Sequence, residues 1–259
     1  MTLESDLVEI VEHSKAKTGL AISELPDGPE IQMHGDDPYR AASVIKVPIL
    51  YELYRKHERG ELDLEDVHSV SEKNISVGSG VIRALHRPLA LTLKDLMTLM
   101  IIVSDNSATN ELIDIAIMEE VNSTMQRIGL RHTLLKRKMM GDAGGEVAFE
   151  RDNIMSPGDS ILLIKDIYSA KHLSRRSCDS ILEIMKQQQF KQKIPRYLPE
   201  KVVSATKSGT VKSVSNDIGI LYLKRPVAIA VMCMDLDHSA HGSDVIASVG
   251  RTVYEYYSR

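Results

Sequence analysis

The chain is 259 residues long, with 32 basic and 36 acidic side chains and a net charge near −4, a balance that gives no electrostatic reason to expect nucleic acid or an anionic membrane as partner. An apolar fraction of 43% argues against disorder and allows one substantial core, or two lobes sharing a cleft. A small molecule is the natural partner, and a monomer the expected state.

The opening stretch MTLESDLVEIVEHSKAKTG sets acids among apolar residues at helical spacing. It predicts an amphipathic helix and lacks the basic start and unbroken apolar run of a secretory signal, so the chain as written is expected to be cytoplasmic, or exported if a leader has been removed. No later segment has the roughly 18 uninterrupted apolar residues that span a bilayer. GLAISEL and EIQMH flank a Pro-Asp-Gly-Pro turn and read as a β-hairpin. A helical middle follows. Ser43 to about Arg59 reads as one helix, Thr92-x-x-Asp95 is a capping-box start to LTLKDLMTLMIIV, and Ser156-Pro157-Gly158-Asp159 starts another with Pro157 at its first position. Beyond residue 200, VVSATKSGT, DIGILYL and PVAIAVMCM predict three strands, and GSDVIASVGRTVYEYYSR a final amphipathic helix.

Strands at both ends of the chain predict an α+β fold: one antiparallel sheet flanked by the terminal helices and an all-helical lobe. The sheet lobe is expected from residues 1–42 and 201–259 and the helical lobe from 43–200, with a site in the cleft between them. Cys178 and Cys233 are too few for a disulfide framework and are expected as free thiols.

Ser43-Val44-Ile45-Lys46 puts a hydroxyl and an amine one helical turn apart, on one face. A serine is a weak nucleophile until a base takes its proton, and a lysine serves as that base only when desolvation or a nearby positive charge lowers its pKa. The apolar flanks of AASVIKVPIL can bury Lys46, and Ser43 at the helix start can lend its N–H to an oxyanion. Ser14-Lys15-Ala16-Lys17 and Ser204-Ala205-Thr206-Lys207 show the same spacing, so alone it equally describes a helix cap beside a solvated lysine. Ser104-Asp105-Asn106 either caps and turns the chain or gives Ser104 a proton-relay role and Asn106 a hydrogen bond to a substrate amide. Lys207-Ser208-Gly209-Thr210 is either a strand end or a strand whose glycine lets a ligand's backbone approach.

With these three motifs in this order, the chain resembles the serine β-lactamases of class A and the related penicillin-binding proteins, whose Ser-x-x-Lys and Ser-Asp-Asn elements they match and whose Lys-Thr-Gly element they follow with Ser208 in place of the threonine, a change that keeps the hydroxyl. The likeness extends through ASVIKVPIL, GSGVIRAL, LTLKDLMTLMIIVSDNSATN and NDIGIL. It implies a bacterial hydrolase of antibiotic resistance that opens β-lactam rings through an acyl-enzyme, without metal or organic cofactor. Residue by residue, it makes Ser43 the nucleophile, Lys46 its base, Ser104 the donor to the leaving nitrogen and Asn106 the holder of the substrate's amide. Lys207 would supply positive charge, Ser208 would bind the substrate carboxylate, and the Thr210 N–H would complete the oxyanion hole beside Gly209.

One departure bears on function. Class A enzymes carry a glutamate that activates the deacylating water, followed by an asparagine and a Pro-Gly-Asp. When Asn153 and Pro157-Gly158-Asp159 are set on that pattern, the glutamate position falls on Phe149, and Glu150 is one residue late. Either Glu150 or Glu146 reaches the water through a rebuilt loop, or deacylation is slow or takes another route. The alternatives to a β-lactamase are therefore a DD-peptidase or esterase on the same scaffold, or a slowly deacylating penicillin-binding sensor. His238 and His241, with Asp235 and Asp237, are expected in a solvated connection between the last strand and helix, with no metal. Gly78-Ser79-Gly80 lacks the strand-to-helix setting of a phosphate cradle.

Overall fold

The computed structural model describes residues 2–140 and 147–258. A capping box between Thr2 and Ser5 starts α1 (Leu3–His13), and the chain then runs out and back through β1 (Lys17–Glu24) and β2 (Glu30–Met33), antiparallel with Ile22 opposite Ile31. A short strand, β3 (Tyr39–Arg40), leads into a 3₁₀ turn at Ala42–Ile45 and then α2 (Lys46–Glu58). Two more short strands, β4 (Val67–Ser69) and β5 (Ala90–Thr92), pair with each other before α3 (Leu93–Ile102), α4 (Asn106–Ala116) and α5 (Met118–Arg127). After β6 (Ile154–Met155), which pairs with β3, come α6 (Pro157–Ser169) and α7 (Arg175–Lys186). The chain closes with β7 (Val203–Val211), β8 (Val214–Tyr222), β9 (Val227–Met234) and α8 (Ser239–Tyr257).

The five-stranded sheet has the order β2-β1-β9-β8-β7, with every neighbouring pair antiparallel. Strand β9, from the end of the chain, docks on β1 from its beginning, with Ala21 opposite Ala230. Alternation along the strands sorts their side chains between two cores. Leu20, Ile22, Ile229 and Val231 pack with Leu3, Leu7, Val249 and Val253 of the terminal helices, whereas Ala21, Ala228, Ala230 and Met232 join the core of the helical middle. Small alanines on that second face let α6 lie close against β1 and β9. Strand β7, at the sheet edge, runs against the 3₁₀ turn that begins α2.

Three local readings change. The Ser43 segment begins as a 3₁₀ turn and becomes α-helical only at Lys46. The pairs β3–β6 and β4–β5 interrupt the helical middle, and runs of two or three residues are too short to show an alternating pattern. The last helix starts at Ser239, with the His238 side chain accepting from the Ala240 N–H. His238 is thus a helix cap and His241 a helix residue, not parts of a loop. Among the described residues no group of three or more His, Cys, Asp or Glu side chains is placed to hold a metal, and no helix is long and apolar enough to cross a membrane. Cys178 and Cys233 are both buried and unpaired with each other.

Candidate active site

The turn carrying Ser43 is held from two sides. The Ala41 N–H donates to Asn153 O at 2.8 Å, and Asn216 Nδ2 donates to Arg40 O and Ala41 O at 2.8 and 3.0 Å. Strand β7 presses in behind it: a Cβ on Gly209 would stand 2.9 Å from the Ser43 nitrogen, so a glycine is needed there for the strand to lie this close. Ser43 then faces a cavity of about 220 Å³, together with Ser79, Ser104, Lys193, Ser208 and Thr210. A larger hollow of about 780 Å³, near Tyr54 and Arg175, holds none of the residues singled out above.

Lys46 is completely buried. Its Nζ donates to Ser104 O at 2.8 Å, Ser104 Oγ at 3.0 Å and Asn106 Oδ1 at 2.9 Å. The bond from Lys46 to Ser43 that helical spacing led us to expect is replaced by these three, because a long buried amine is drawn to the acceptors that offset its desolvation. Burial first, and the positive charge of Lys207 second, push the Lys46 pKa well below its ordinary value, with Asp105 opposing. Lys207, equally buried, reaches the same Ser104 Oγ at 3.1 Å and Ser208 O at 2.8 Å. Its pKa falls to about 7, through burial and then the Lys193 charge, against the attraction of Asp217. One serine hydroxyl is therefore shared by two lysines.

The Ser-Asp-Asn turn owes its shape to several constraints. Ser104 has a left-handed backbone, φ 55°, and Asp105 caps α4 by accepting from the Ala108 N–H at 2.9 Å. The other Asp105 oxygen takes the N–H groups of Val81 and Ile82 at 2.6 and 2.9 Å, which draws the preceding loop onto the turn. Asn106 accepts from Lys46, and its Nδ2 donates to Val77 O at 2.9 Å, leaving one amide hydrogen for a ligand. Gly78 and Gly80 make the loop's approach feasible, since a Cβ at Gly80 would lie 2.3 Å from the Asp105 carboxylate. Ser79, between them, accepts from the Asn106 N–H at 3.0 Å through its carbonyl and lines the cavity. The sequence placed this Gly-Ser-Gly in the family likeness and excluded a phosphate cradle, but gave Ser79 no place in the site; two glycines around a serine was the available signal.

Lys193 was missed because KQQQFKQK reads as a solvated stretch. It is buried, its Nζ donating to Gly209 O at 2.5 Å, Thr210 Oγ1 at 2.9 Å and Asn216 O at 3.0 Å, and burial lowers its pKa to about 8. Asp217, paired across the sheet with Ser208, is fully buried. One of its oxygens accepts from the Ile194 N–H at 3.1 Å and the other has no partner among the described residues. Burial raises its pKa to about 6 against the pull of Lys193 and Lys207.

Of the remaining expected positions, Asn153 is buried inside the loop that precedes β6. Its Oδ1 accepts from the Lys136 and Arg137 N–H groups at 2.7 and 3.0 Å, and its Nδ2 donates to Arg137 O at 3.1 Å. Glu150 is exposed on a 3₁₀ turn, Phe149–Arg151, and does not line the Ser43 cavity. The Phe149 ring lies under the Arg40 guanidinium, 5.6 Å from centroid to carbon. Glu146 lies outside the described residues. Of the two decoy Ser-x-x-Lys matches, Ser14 caps α1 while Lys17 pairs at the surface with Asp37, and Lys207 belongs to the site itself.

The model of the beta-lactamase enzyme family matches residues 2–257. The chain belongs to this family. Among solved structures it is similar to a beta-lactamase from Sphaerobacter thermophilus, at 30% identity over 98% of this chain and 96% of that one, with a TM-score of 0.90. It is also similar to PBP-A, at 26% identity over 98% and 95% of the two chains and a TM-score of 0.90. A mutant of PBP-A solved as its acyl-enzyme complex with penicillin G matches at 26% identity over 98% and 95%, with a TM-score of 0.89. No curated protein sequence matches the chain. The α+β fold is thus that of the class A enzymes and PBP-A, and the chain is a serine β-lactamase-like hydrolase.

Proposed function

We propose that the protein opens β-lactam rings through an acyl-enzyme on Ser43 and hydrolyses that ester slowly. The observation that carries the reading is Ser104 Oγ, hydrogen-bonded by two buried lysines in the cavity that Ser43 faces. With Lys46 neutral, its lone pair is free to take the Ser43 proton as Oγ attacks the lactam carbonyl. Ser43 and Thr210 N–H groups receive the developing oxyanion. The ring C–N bond breaks, and the nitrogen takes a proton from Ser104 Oγ. Ser104 is refilled from the Lys46 ammonium, so the proton that left Ser43 ends on the leaving nitrogen. Lys207, with Ser208, supplies charge and a hydroxyl for a substrate carboxylate, and Asn106 its free amide hydrogen for the acyl side chain.

Hydrolysis of the ester then needs a base on the water. Phe149 stands where the family pattern has that glutamate, and Glu150 points to solvent. Loss of such a base costs about 10²–10⁴ in rate, so the same observation favours a second reading, a penicillin-binding protein that stays acylated. PBP-A, similar over nearly the whole chain, fits that reading. A chromogenic cephalosporin and intact-mass analysis with benzylpenicillin test both. Turnover, with an adduct on Ser43 that decays, supports the hydrolase; an adduct stable for hours supports the binding protein. Absence of turnover and adduct alike overturns the proposal.

A further inference from the structure

Phe190 stands out at the mouth of the Ser43 cavity. The chain holds only two phenylalanines and no tryptophan, and one of the two lines a site whose other lining side chains are Ser, Thr, Gln and Lys. The residue is 37% exposed. An isolated exposed phenylalanine is ordinary, but this one is held in place. Gln188, only 2% exposed, accepts from the Phe190 N–H at 3.0 Å and donates to Ile101 O at 3.0 Å, while the Gln189 N–H donates to Ile102 O at 3.0 Å. Those carbonyls are the unpaired end of α3, which runs directly into Ser104. The Gln188–Phe190 segment is therefore stapled to the element that carries the proton donor. Three residues on, Lys193 is fixed to Gly209 and Thr210, so the segment is tied down at both ends.

We infer that Phe190 is a specificity-determining residue, whose ring forms an apolar wall for a flat or aromatic substituent carried on the leaving-nitrogen side of the substrate. The inference rests on the proposed acyl-enzyme reading. The side follows from the tethers: Phe190 is bound to the Ser104 end and the Lys193–Thr210 end of the cavity, where the departing nitrogen and the substrate carboxylate are received. A cavity so small brings its one aromatic face within reach of any bound ring. Without that face, a ring substituent there would remain in water.

Two cephalosporins that share one acyl side chain test this, one bearing a benzyl group on the six-membered ring and the other a methyl group, neither of which departs when the lactam opens. Acylation is followed by mass spectrometry as kcat/KM, with KM separated where saturation is reached. The wild type is expected to prefer the aromatic compound by about tenfold, carried by KM, a factor equal to about 1.4 kcal/mol. Phe190→Ala removes the preference, with the loss carried by KM on the aromatic compound, and Phe190→Trp restores it. An equal loss on both compounds marks Phe190 as merely structural and overturns the inference, as does a preference that survives Phe190→Ala. Failure of the wild type to be acylated by either compound overturns the acyl-enzyme reading itself, and the inference with it.

Discussion

Glu150→Gln and Phe149→Glu together test the account of the second half-reaction. Glu150 is exposed and outside the Ser43 cavity, so replacing its carboxylate leaves the lifetime of the acyl-enzyme within about twofold; a positioned base would cost about 10²–10⁴, or roughly 3–5 kcal/mol of barrier. Phe149→Glu sets a carboxylate at the position the family pattern assigns. The competing effect is Arg40, whose guanidinium already covers the ring at this position and pairs with Asp152 at 2.7 Å. A second carboxylate there gains at most about 1 kcal/mol from a partly exposed guanidinium already paired, less than the gain from placing a base, so the water should win. The assay is the decay of the penicilloyl adduct by intact mass, after removal of free penicillin. Phe149→Glu is expected to shorten its life by a factor of about 100 or more. A hundredfold longer life in Glu150→Gln would refute the reasoning, because it would make the exposed carboxylate the working base.

Other consequences follow from the same geometry. Gly80→Ala meets both a φ of 115° and the Asp105 carboxylate at 2.3 Å, and is expected to cost about 2–4 kcal/mol in urea unfolding while lowering acylation of Ser43. Asp217→Asn keeps the acceptor for the Ile194 N–H but removes the attraction that holds up the pKa values of Lys193 and Lys207. The alkaline fall in acylation of carboxylate-bearing substrates therefore moves to lower pH; an unchanged pH profile would show that Asp217 serves only the fold. Lys193 and Lys207 have folded pKa values of about 8 and 7, below the value of about 10.4 in an unfolded chain. Across that window the unfolded state binds more protons, so calorimetric stability is expected to climb from about pH 7.5 to 9.5. Binding of an anionic substrate analogue raises both pKa values, and titration calorimetry in buffers of differing ionisation enthalpy should show proton uptake near pH 7.5.

The parts of the fold legible in the sequence were those with a local cause. Thr92 with Asp95 and Ser156 with Pro157 start helices because capping is settled within four residues, and the β-rich runs after residue 200 form strands because their pattern is long enough to show. Ser43 and both lysine motifs were legible as residue types. Their contacts were not. Lys46 turned to Ser104 and Asn106, not Ser43, because its acceptors lie some sixty positions along the chain, and nothing in AASVIKVPIL encodes them. Lys193 hid in a stretch of lysines and glutamines that, Gln188 apart, are more exposed; the tertiary approach of Gly209 and Asn216 buries it. The role of the Gly78-Ser79-Gly80 loop was not legible for a related reason, since its glycines make room for Asn106 and Asp105, some 25 positions further along the chain.

Ser104 explains why the site tolerates two lysines so close together. Two fully buried ammonium groups on one hydroxyl would repel each other strongly at the low dielectric of an interior; burial first and the Lys207 charge second depress the Lys46 pKa, while burial and the Lys193 charge depress that of Lys207. The cost is relieved if one amine is neutral, and hydrogen bonding decides which arrangement is compatible. Of the three partners of Lys46, Ser104 O and Asn106 Oδ1 can only accept, so a neutral Lys46 can direct its lone pair only at the hydrogen of Ser104 Oγ or at Ser43. Lys207 donates to the same oxygen and to Ser208 O, and a charged Lys207 is satisfied there with one hydrogen to spare for an anion. An incoming carboxylate favours the charged form of Lys207, and that charge in turn keeps Lys46 neutral, so the arrival of an anionic substrate drives the pair toward one cation and one base.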